Sequence, residues 1–442
     1  MSKQIMWQFG PISHFLGVLT EYFDLFIISA TLPILTKVFL PAQMPQLISA
    51  FYVVGTFAVA YLTRPIGAAI FGHYSDRIGR RLLMIFSMGG MAIATALVSI
   101  LPTYDQAGFV GLISLVIIRM FVGMFYGGER SAGVSYSQEF TPAKWRGLVS
   151  GLSQVGTGIG GFSAGGITAV FLAFYGNDAM IAYAWRYVFL VGIIPFIVVA
   201  FIRLYTVESP MWQTAKASGK LEKTPLASLL KGDTRFRFLQ ATLTTIGFLI
   251  MGATINSYLV PMLISPPSRL SMAQELMAYN AFVIISPVVG LAIGQMSQYI
   301  GRRRMLMIIA ITTIMTILPT TYGLVMFGSS LSMVPVLLIA VWLGSIETFP
   351  YGCIDVYLAE RFGTSHRASG AGMSYALGNL FGGVVVILVA PILHGLLAVV
   401  ETTNIWLTTS ALCIVGSLIG LVGVYIGPET VWTKLEEVET KT

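Results

Sequence analysis

The feature that most constrains this chain is a succession of about twelve long apolar segments. They lie near residues 10–36, 46–71, 82–103, 108–137, 147–174, 185–205, 237–263, 274–298, 304–327, 331–358, 368–394 and 403–427. A segment of roughly 20 predominantly apolar residues is long enough to span a bilayer. Apolar residues make up 56% of the 442 residues and charged residues only 10%, which excludes a soluble domain of this length. The sequence therefore predicts an all-α membrane protein with twelve transmembrane helices.

Two short basic stretches divide the chain into similar halves. Residues 72–81 have a degenerate copy at 294–303, 222 positions later, and Glu139 and Arg146 recur 221 positions later as Glu360 and Arg367. Parallel half-repeats are typical of secondary transporters. We therefore predict an N-terminal six-helix bundle over 1–205, a cytoplasmic linker over 206–236, a C-terminal six-helix bundle over 237–427 and a cytoplasmic tail over 428–442.

The positive charges indicate the orientation of the chain in the membrane. The formal net charge is +7. If the N-terminus is cytoplasmic, 20 Lys and Arg residues fall in cytoplasmic segments and three (Lys37, Arg186 and Arg269) in external ones. The positive-inside rule then places both termini in the cytoplasm of a cell membrane. The basic balance is explained by topology, and no nucleic-acid partner is implied.

Composition also argues against several other classes of site. The two cysteines, Cys353 and Cys413, both fall in apolar segments, so neither a disulfide framework nor a thiolate metal site is expected. The four histidines are dispersed without an H-E-x-x-H pattern. We expect no metal, no cofactor and no enzymatic activity.

The first apolar segment carries Glu21 and Asp24 and is too long for a cleaved signal peptide.

The basic stretch also carries a family resemblance. Its pattern G-x-x-x-D-R-x-G-R-R, at Gly72 to Arg81, resembles the loop between helices two and three of the major facilitator superfamily. The preceding Arg64-Pro65-Ile66-Gly67 resembles the metabolite:proton symporter branch, which is related to the sugar porters. Segments 21–24, 119–129, 185–186 and 208–210 agree. The resemblance implies two pseudo-symmetric six-helix bundles around a central cavity, with transport by alternating access.

The first helix carries acids at membrane depth. Glu21 and Asp24 share one helical face with His14 and Gly17. A carboxylate inside a spanning helix costs roughly 2.5–3.5 kcal/mol, so it normally faces a cavity or a partner. Arg119 on the fourth helix lies at a matching depth, and the related sugar porters carry a similar acid and arginine. We predict that Asp24 pairs with Arg119, and that Asp24, Glu21 and Arg119 couple transport to protons.

Arg64 on the second helix is a candidate substrate contact. It lies eight residues before Gly72, about 12 Å above the loop. Its guanidinium either snorkels to the cytoplasm or binds a carboxylate in the central cavity. Arg119 is the second candidate cation. The stretch from Arg146 to Gln154 is similar to the sugar-porter pattern whose final Gln touches substrate, which implies a substrate contact for Gln154.

The second half offers candidates that are more scattered. Each of its polar residues can serve either as a ligand contact or as a hydrogen bond between helices. Glu347, Tyr351 and Asp355 follow at i, i+4 and i+8 on the tenth helix, which indicates a second ionisable site or a partner for an unidentified basic residue. The candidate substrate contacts are Asn256, Tyr258, Asn280, Glu347, Asp355 and Asn379.

The basic stretches are predicted to act as a conformational latch. Asp76 can pair with arginines or with an exposed helix N-terminus. The second copy has Gln298 where Asp76 stands, so the two halves should differ in latch strength. We expect Glu129 and Arg130 to form a structural ion pair. The latch residues are Gly72, Asp76, Arg77, Arg80, Arg81, Glu139, Arg146, Arg302, Arg303, Glu360 and Arg367.

These observations predict a secondary active transporter that carries a small carboxylate-bearing metabolite together with protons. Arg64 and Arg119 favour an anionic substrate, and Asp24 and Glu21 favour proton coupling. The first alternative is a proton-coupled sugar or polyol porter in which Arg119 serves only Asp24. A more distant alternative is a membrane nutrient sensor that does not transport. The expected partners are the substrate, protons and the bilayer, with a monomeric protein.

Overall fold

The computed structural model describes residues 3–435 except 42, 45, 265–269, 329, 386–388, 390–391 and 394–404, together with residue 438. The described chain is helical and contains no strand. Arg269, part of the predicted eleventh span (368–394) and most of residues 436–442 lie outside the described residues.

Eight helices make up the N-terminal part of the chain. Their bounds are α1 (Lys3–Phe39), α2 (Gln46–Ile78), α3 (Arg80–Val98), α4 (Tyr104–Ala107), α5 (Val110–Phe140), α6 (Arg146–Ala179), α7 (Trp185–Gly192) and α8 (Ile194–Leu204). A π-helical turn, Met180–Ala184, joins α6 to α7. The apolar stretch Ala143–Leu204 covers 62 residues, which is too long for one crossing of a 30 Å core. Gly176, at φ 72°, turns the chain between two crossings.

Two short helices and six long ones follow. The linker holds α9 (Pro210–Ala217) and α10 (Pro225–Ser228), and the later helices are α11 (Gly232–Ile264), α12 (Met272–Ile300), α13 (Arg302–Phe327), α14 (Met333–Arg361), α15 (Arg367–Val384) and α16 (Ile405–Tyr425). Within the described residues, nine segments are long and apolar enough to cross a membrane. Because Ala143–Leu204 crosses twice and α2 and α15 also match predicted spans, the helices are consistent with twelve crossings. The prediction of an all-α membrane protein is confirmed.

Two separate hydrophobic cores hold the helices together. One is built from α1, α3 and α5–α8, with buried residues such as Phe23, Trp185 and Phe189. The other is built from α11–α16, with buried residues such as Phe248, Ile309 and Ile354. Because lipid tails are as apolar as these side chains, the cores hold the helices through close van der Waals packing and not through removal of apolar surface from water. Each half of the chain therefore packs around its own core, and the exact domain boundaries stay a prediction.

Small residues let the helices approach closely. Gly67 on α2 lies against the backbone of Met124 on α5, and Gly127 on α5 lies against the backbone of Arg64, with no room for a Cβ at either position. Between the halves, Gly147 on α6 and Gly294 on α12 face each other's carbonyl oxygens in the same way. Glycine at these positions permits backbone contact between helices, and this brings polar groups of facing helices within reach.

Candidate transport site and basic-face network

Asp24 lies in a buried site formed by α1, α3 and α5. Its Oδ2 is 2.5 Å from Arg119 Nη1 and accepts a 2.6 Å hydrogen bond from the Tyr126 hydroxyl. Its Oδ1 accepts a 2.8 Å hydrogen bond from the Thr95 hydroxyl. All of these side chains are buried. The structure therefore brings together the two residues that the sequence paired, and adds two hydroxyl donors that it did not indicate.

Glu21 and Arg64 form a second, looser pair one turn of α1 away. Arg64 Nη2 is 3.4 Å from Glu21 Oε1, and the guanidinium lies 4.7 Å from the centre of the Tyr61 ring and 4.9 Å from that of Tyr126. Both charged side chains are buried. Arg64 therefore does not snorkel to the surface; it lies among aromatic rings beside the Asp24 site.

The expected pair between Glu129 and Arg130 is wrong, because each residue has another partner. Glu129 receives two 2.6 Å hydrogen bonds from Arg203 at the end of α8, and Ser87 donates a third at 3.1 Å. Arg130 instead reaches the other half of the molecule, where Nη2 is 2.7 Å from Asp355 Oδ1. Asp355 thus has the basic partner that the sequence left unidentified.

Among the described hydrogen bonds, none joins the remaining second-half candidates to one another. Asn379 donates within its own helix to the Tyr375 carbonyl at 3.2 Å. Asn256 and Asn280 are exposed, and Tyr258 is half-buried. Glu347 is half-buried and accepts a 2.7 Å hydrogen bond from the Thr348 hydroxyl.

Gln154 on α6 lies where the two halves meet. It is buried, and its side chain packs closely on Gly290 of α12. Its Nε2 is 3.4 Å from the neighbouring Ser153 hydroxyl. Its substrate role remains a prediction.

Asp76 joins the two halves at the end of the molecule where the basic stretches lie, here called the basic face. Its carboxylate accepts hydrogen bonds from the backbone N–H groups of Ala368 at 3.1 Å and Ser369 at 2.8 Å. These groups belong to the first turn of α15, where the helix dipole favours negative charge. Arg80 lies 3.1 Å from the same carboxylate. Gly72 of α2 packs directly against the backbone of Ser369.

A second set of contacts on the basic face also crosses between the halves. Glu139 pairs with Arg80 at 3.1 Å and with Arg367 of α15 at 2.6 Å. Arg80 additionally donates to the Thr364 carbonyl at 2.5 Å. All three charged side chains are buried. The basic face is therefore closed in this structure by hydrogen-bonded charges.

The second basic stretch makes a similar set of contacts on the same face, but it has no charged residue at the position that corresponds to Asp76. Gln298 Oε1 accepts from the Gly147 N–H at the start of α6 at 3.3 Å and from Arg302 at 2.6 Å. Arg302 is 3.4 Å from Glu360. Arg146 donates to the Thr433 carbonyl at 2.8 Å. A neutral side chain thus stands where Asp76 caps the opposite helix.

Three of the predicted latch residues make their described hydrogen bonds within a single half of the chain. Arg77 is exposed and lies 3.5 Å from His73 on its own helix. Arg81 donates to the carbonyls of Arg203 and Leu204 within the first half. Arg303 does the same within the second half, to Val424 and Tyr425. Arg81 and Arg303 therefore fix helix ends inside each bundle.

Sequence reasoning missed two carboxylates that cap helices on the basic face. Glu208 accepts the backbone N–H of Arg80 at 3.0 Å, and Glu429 accepts that of Arg302 at 2.7 Å. Each caps the helix that follows a glycine of positive φ, Gly79 at 120° and Gly301 at 106°. The signal was available, because Glu208 and Glu429 are also 221 positions apart.

Within the described residues, no cluster of three or more His, Cys, Asp or Glu residues could hold a metal ion. The arrangement is instead two helical bundles with buried ion pairs at membrane depth and a charged closure at one end. This combination defines a membrane transport protein that works between two bundles. The sequence profile of the Major Facilitator Superfamily matches residues 15–387. The chain belongs to this superfamily and is a transporter rather than an enzyme.

Known relatives agree with this assignment. The chain is 27% identical over 378 residues to the inner membrane metabolite transport protein YhjE of Escherichia coli, covering 84% of each chain. It is 28% identical over 378 residues to the alpha-ketoglutarate permease of the same organism, covering 83% of each. Its fold is similar to that of the proton:xylose symporter XylE bound to 6-bromo-6-deoxy-D-glucose, with a TM-score of 0.78, 19% identity and coverage of 100% of both chains.

Proposed function

We propose that this protein is a proton-coupled symporter of a small carboxylate-bearing metabolite in a prokaryotic cell membrane, with its basic face and both termini in the cytoplasm. The observation that carries the proposal is the buried pair of Asp24 and Arg119. An ion pair at membrane depth is costly to build and is a common mark of an ion pathway. The distribution of Lys and Arg supports the orientation.

Protonation of Asp24 provides the coupling step. Asp24 accepts three polar contacts while it is ionised, from Arg119, Tyr126 and Thr95. A proton on Oδ2 removes the negative charge that holds Arg119. The site then carries one more positive charge and attracts an anion. Proton and substrate bind together for this reason, and a proton gradient supplies about 1.4 kcal/mol per pH unit and about 2.3 kcal/mol per net charge per 100 mV.

The two arginines have donors to offer such an anion. In the described part of the chain, Nε and Nη2 of both Arg64 and Arg119 are buried without a hydrogen-bond partner. Buried donors of this kind are costly unless a ligand or water satisfies them. A guanidinium fork matches a carboxylate in geometry and in charge. A neutral sugar or polyol would use these donors less well, which is why the carboxylate is preferred.

The basic face provides the alternation. Its cross-bundle contacts through Asp76, Glu139 and Arg367 close this face, and in the proposed orientation substrate enters this conformation from the opposite side. Release into the cytoplasm requires these contacts to break. Two packed arrangements of the same bundles, separated by a few kcal/mol, are sufficient for such a transition.

The proposal is tested with purified protein in proteoliposomes under an imposed pH gradient. Uptake of α-ketoglutarate and of shikimate is measured beside that of xylose. We expect accumulation of at least one carboxylate above equilibrium, abolished by a protonophore. Accumulation of xylose alone would favour the sugar or polyol porter. Binding without any flux would support the nutrient sensor.

A further inference from the structure

Several buried polar atoms along the interface between α1 and α5 lack a partner. Among the described residues, no hydrogen bond reaches Glu21 Oε2, either ring nitrogen of His14, or Ser137 Oγ. Each of these side chains is at most 3% exposed. A buried polar group costs about 1–3 kcal/mol unless a partner satisfies it. Groups of this kind are the usual binding places of internal water in proteins.

The packing of α5 against α1 shows that His14 and Ser137 belong to the same interface. Gly133 on α5 lies against His14, since a Cβ at Gly133 would be 2.9 Å from His14 Nδ1. Phe140 on α5 lies against Gly10 of α1, where a Cβ would be 2.7 Å from the Phe140 Cβ. Ser137 is four residues after Gly133 and three before Phe140. It therefore lies on the face of α5 that packs against α1.

The same interface begins at the Asp24 site. Tyr126 is seven residues before Gly133, on the same face of α5. Its hydroxyl donates to Asp24 Oδ2 at 2.6 Å and lies 3.2 Å from the Glu21 carbonyl oxygen. His14 is seven residues before Glu21 on one face of α1, about 10 Å nearer the basic face. The polar groups therefore continue from the transport site toward the basic face inside the first bundle.

The charges around His14 suit a group that takes up a proton and passes it on. The Cβ position at Gly133 that meets the His14 ring is also 3.2 Å from Glu129 Oε1, so a carboxylate stands beside the ring. Arg203 and Arg130 are the positive groups that act on His14, and each is paired with a carboxylate of its own. The carboxylate of Glu129 can balance an imidazolium, while the two arginines oppose its persistence.

We propose that His14 relays protons from the Asp24 site to the basic face through water held between α1 and α5. This inference rests on the proposed function, because it assigns the exit of the same proton. A proton released by Asp24 passes by way of Glu21 and water to one ring nitrogen of His14. The other ring nitrogen then gives its proton to water beside Ser137, so the imidazole is neutral before and after each transfer. Proton and substrate thus leave by different routes, the proton inside the first bundle and the substrate between the bundles.

The relay is tested with His14→Gln in the proteoliposomes used for the proposed function. Gln is polar but neither gains nor loses a proton near neutral pH. Exchange of radiolabelled α-ketoglutarate or shikimate needs no net proton movement, whereas accumulation under a pH gradient does. We expect His14→Gln to retain exchange, and to slow both accumulation and the proton entry recorded by a trapped pH indicator at least tenfold. His73→Gln is the matched control and should leave both rates unchanged, because His73 lies on α2 beside Arg77.

Ser137→Ala provides a second variant in the same path. It removes one hydroxyl and leaves no charge unpaired, and it should slow accumulation while exchange is retained. If the melting temperature shows that His14→Gln does not fold, Ser137→Ala decides, and unchanged accumulation in it overturns the relay.

The remaining outcomes separate the relay from the proposed function. If His14→Gln accumulates substrate as fast as the wild type, protons leave between the bundles and the relay is overturned, while the proposed function stands. If exchange and accumulation fall equally in His14→Gln, His14 has a structural role and the relay is again overturned. If the wild type accumulates neither carboxylate under a pH gradient, both fail.

Discussion

Removing the charge of Asp76 should open the basic face. Asp76 accepts two backbone hydrogen bonds from the start of α15, and Asp76→Asn keeps an oxygen acceptor but loses the charge. Hydrogen bonds to charged groups contribute about 1.5–3 kcal/mol and neutral ones about 0.5–1.5 kcal/mol. The amide nitrogen of Asn cannot accept the second bond, so one bond becomes neutral and the other is lost. Together they cost about 3 kcal/mol, which shifts the balance between closed and open basic faces about 100-fold, at roughly 1.4 kcal/mol per factor of ten.

The shift can be measured as a distance between the bundles. Lys144 and Arg304 are exposed on the basic face, one in each half, and spin labels at these positions report their separation by pulsed electron paramagnetic resonance. We expect Asp76→Asn to populate a longer distance and to slow turnover more than substrate binding. Arg77→Gln is the control, because Arg77 contacts only His73 among the hydrogen bonds described. An unchanged distance distribution together with an unchanged transport rate would refute the latch.

Four further predictions concern the transport site and the topology. Asp24→Asn mimics the protonated acid, so it should keep substrate exchange and lose accumulation driven by a pH gradient; if it still concentrates substrate, Asp24 is not the coupling site. Arg119→Gln should be more damaging, because ionised Asp24 would be buried without its basic partner, a loss of about 3–5 kcal/mol that a fall in melting temperature would register. Arg64→Lys keeps the charge but loses the planar fork, so substrate affinity should fall about tenfold, and equal affinity in Arg64→Lys and Arg64→Gln would contradict an anion contact. A cysteine at Ser218 in the exposed linker should resist membrane-impermeant labelling of intact cells, while one at Asp105, between α3 and α5, should react; the reverse pattern would overturn the topology.

Much of the fold follows from patterns within single segments. The apolar segments and the basic residues at their ends predict where the helices lie. The 221-residue offset relates Glu139 to Glu360. The Asp24 and Arg119 pair could be expected because both lie at the same depth and one charge at membrane depth requires another. These arguments need only the position of a residue along its own helix.

The partners of Glu129 and Arg130 could not be predicted in this way. The two residues are adjacent in sequence, but adjacent positions on a helix point about 100° apart. Glu129 therefore faces Arg203 inside its own bundle, whereas Arg130 faces Asp355 across the interface. Which helices lie opposite each face depends on the packing of both bundles, and no feature local to the segment encodes it.

The closed basic face has two interfaces between the bundles, here called seams. They differ in strength because Gln298 stands in one where Asp76 stands in the other. The seam between α2 and α15 is joined by an ionised cap on a helix N-terminus, and the seam between α6 and α12 by a neutral amide. Less free energy is needed to part the neutral seam. We therefore expect the bundles to separate first along α6 and α12 while α2 and α15 act as the hinge, so that a symmetric fold opens asymmetrically and substrate leaves on the side of Gln298.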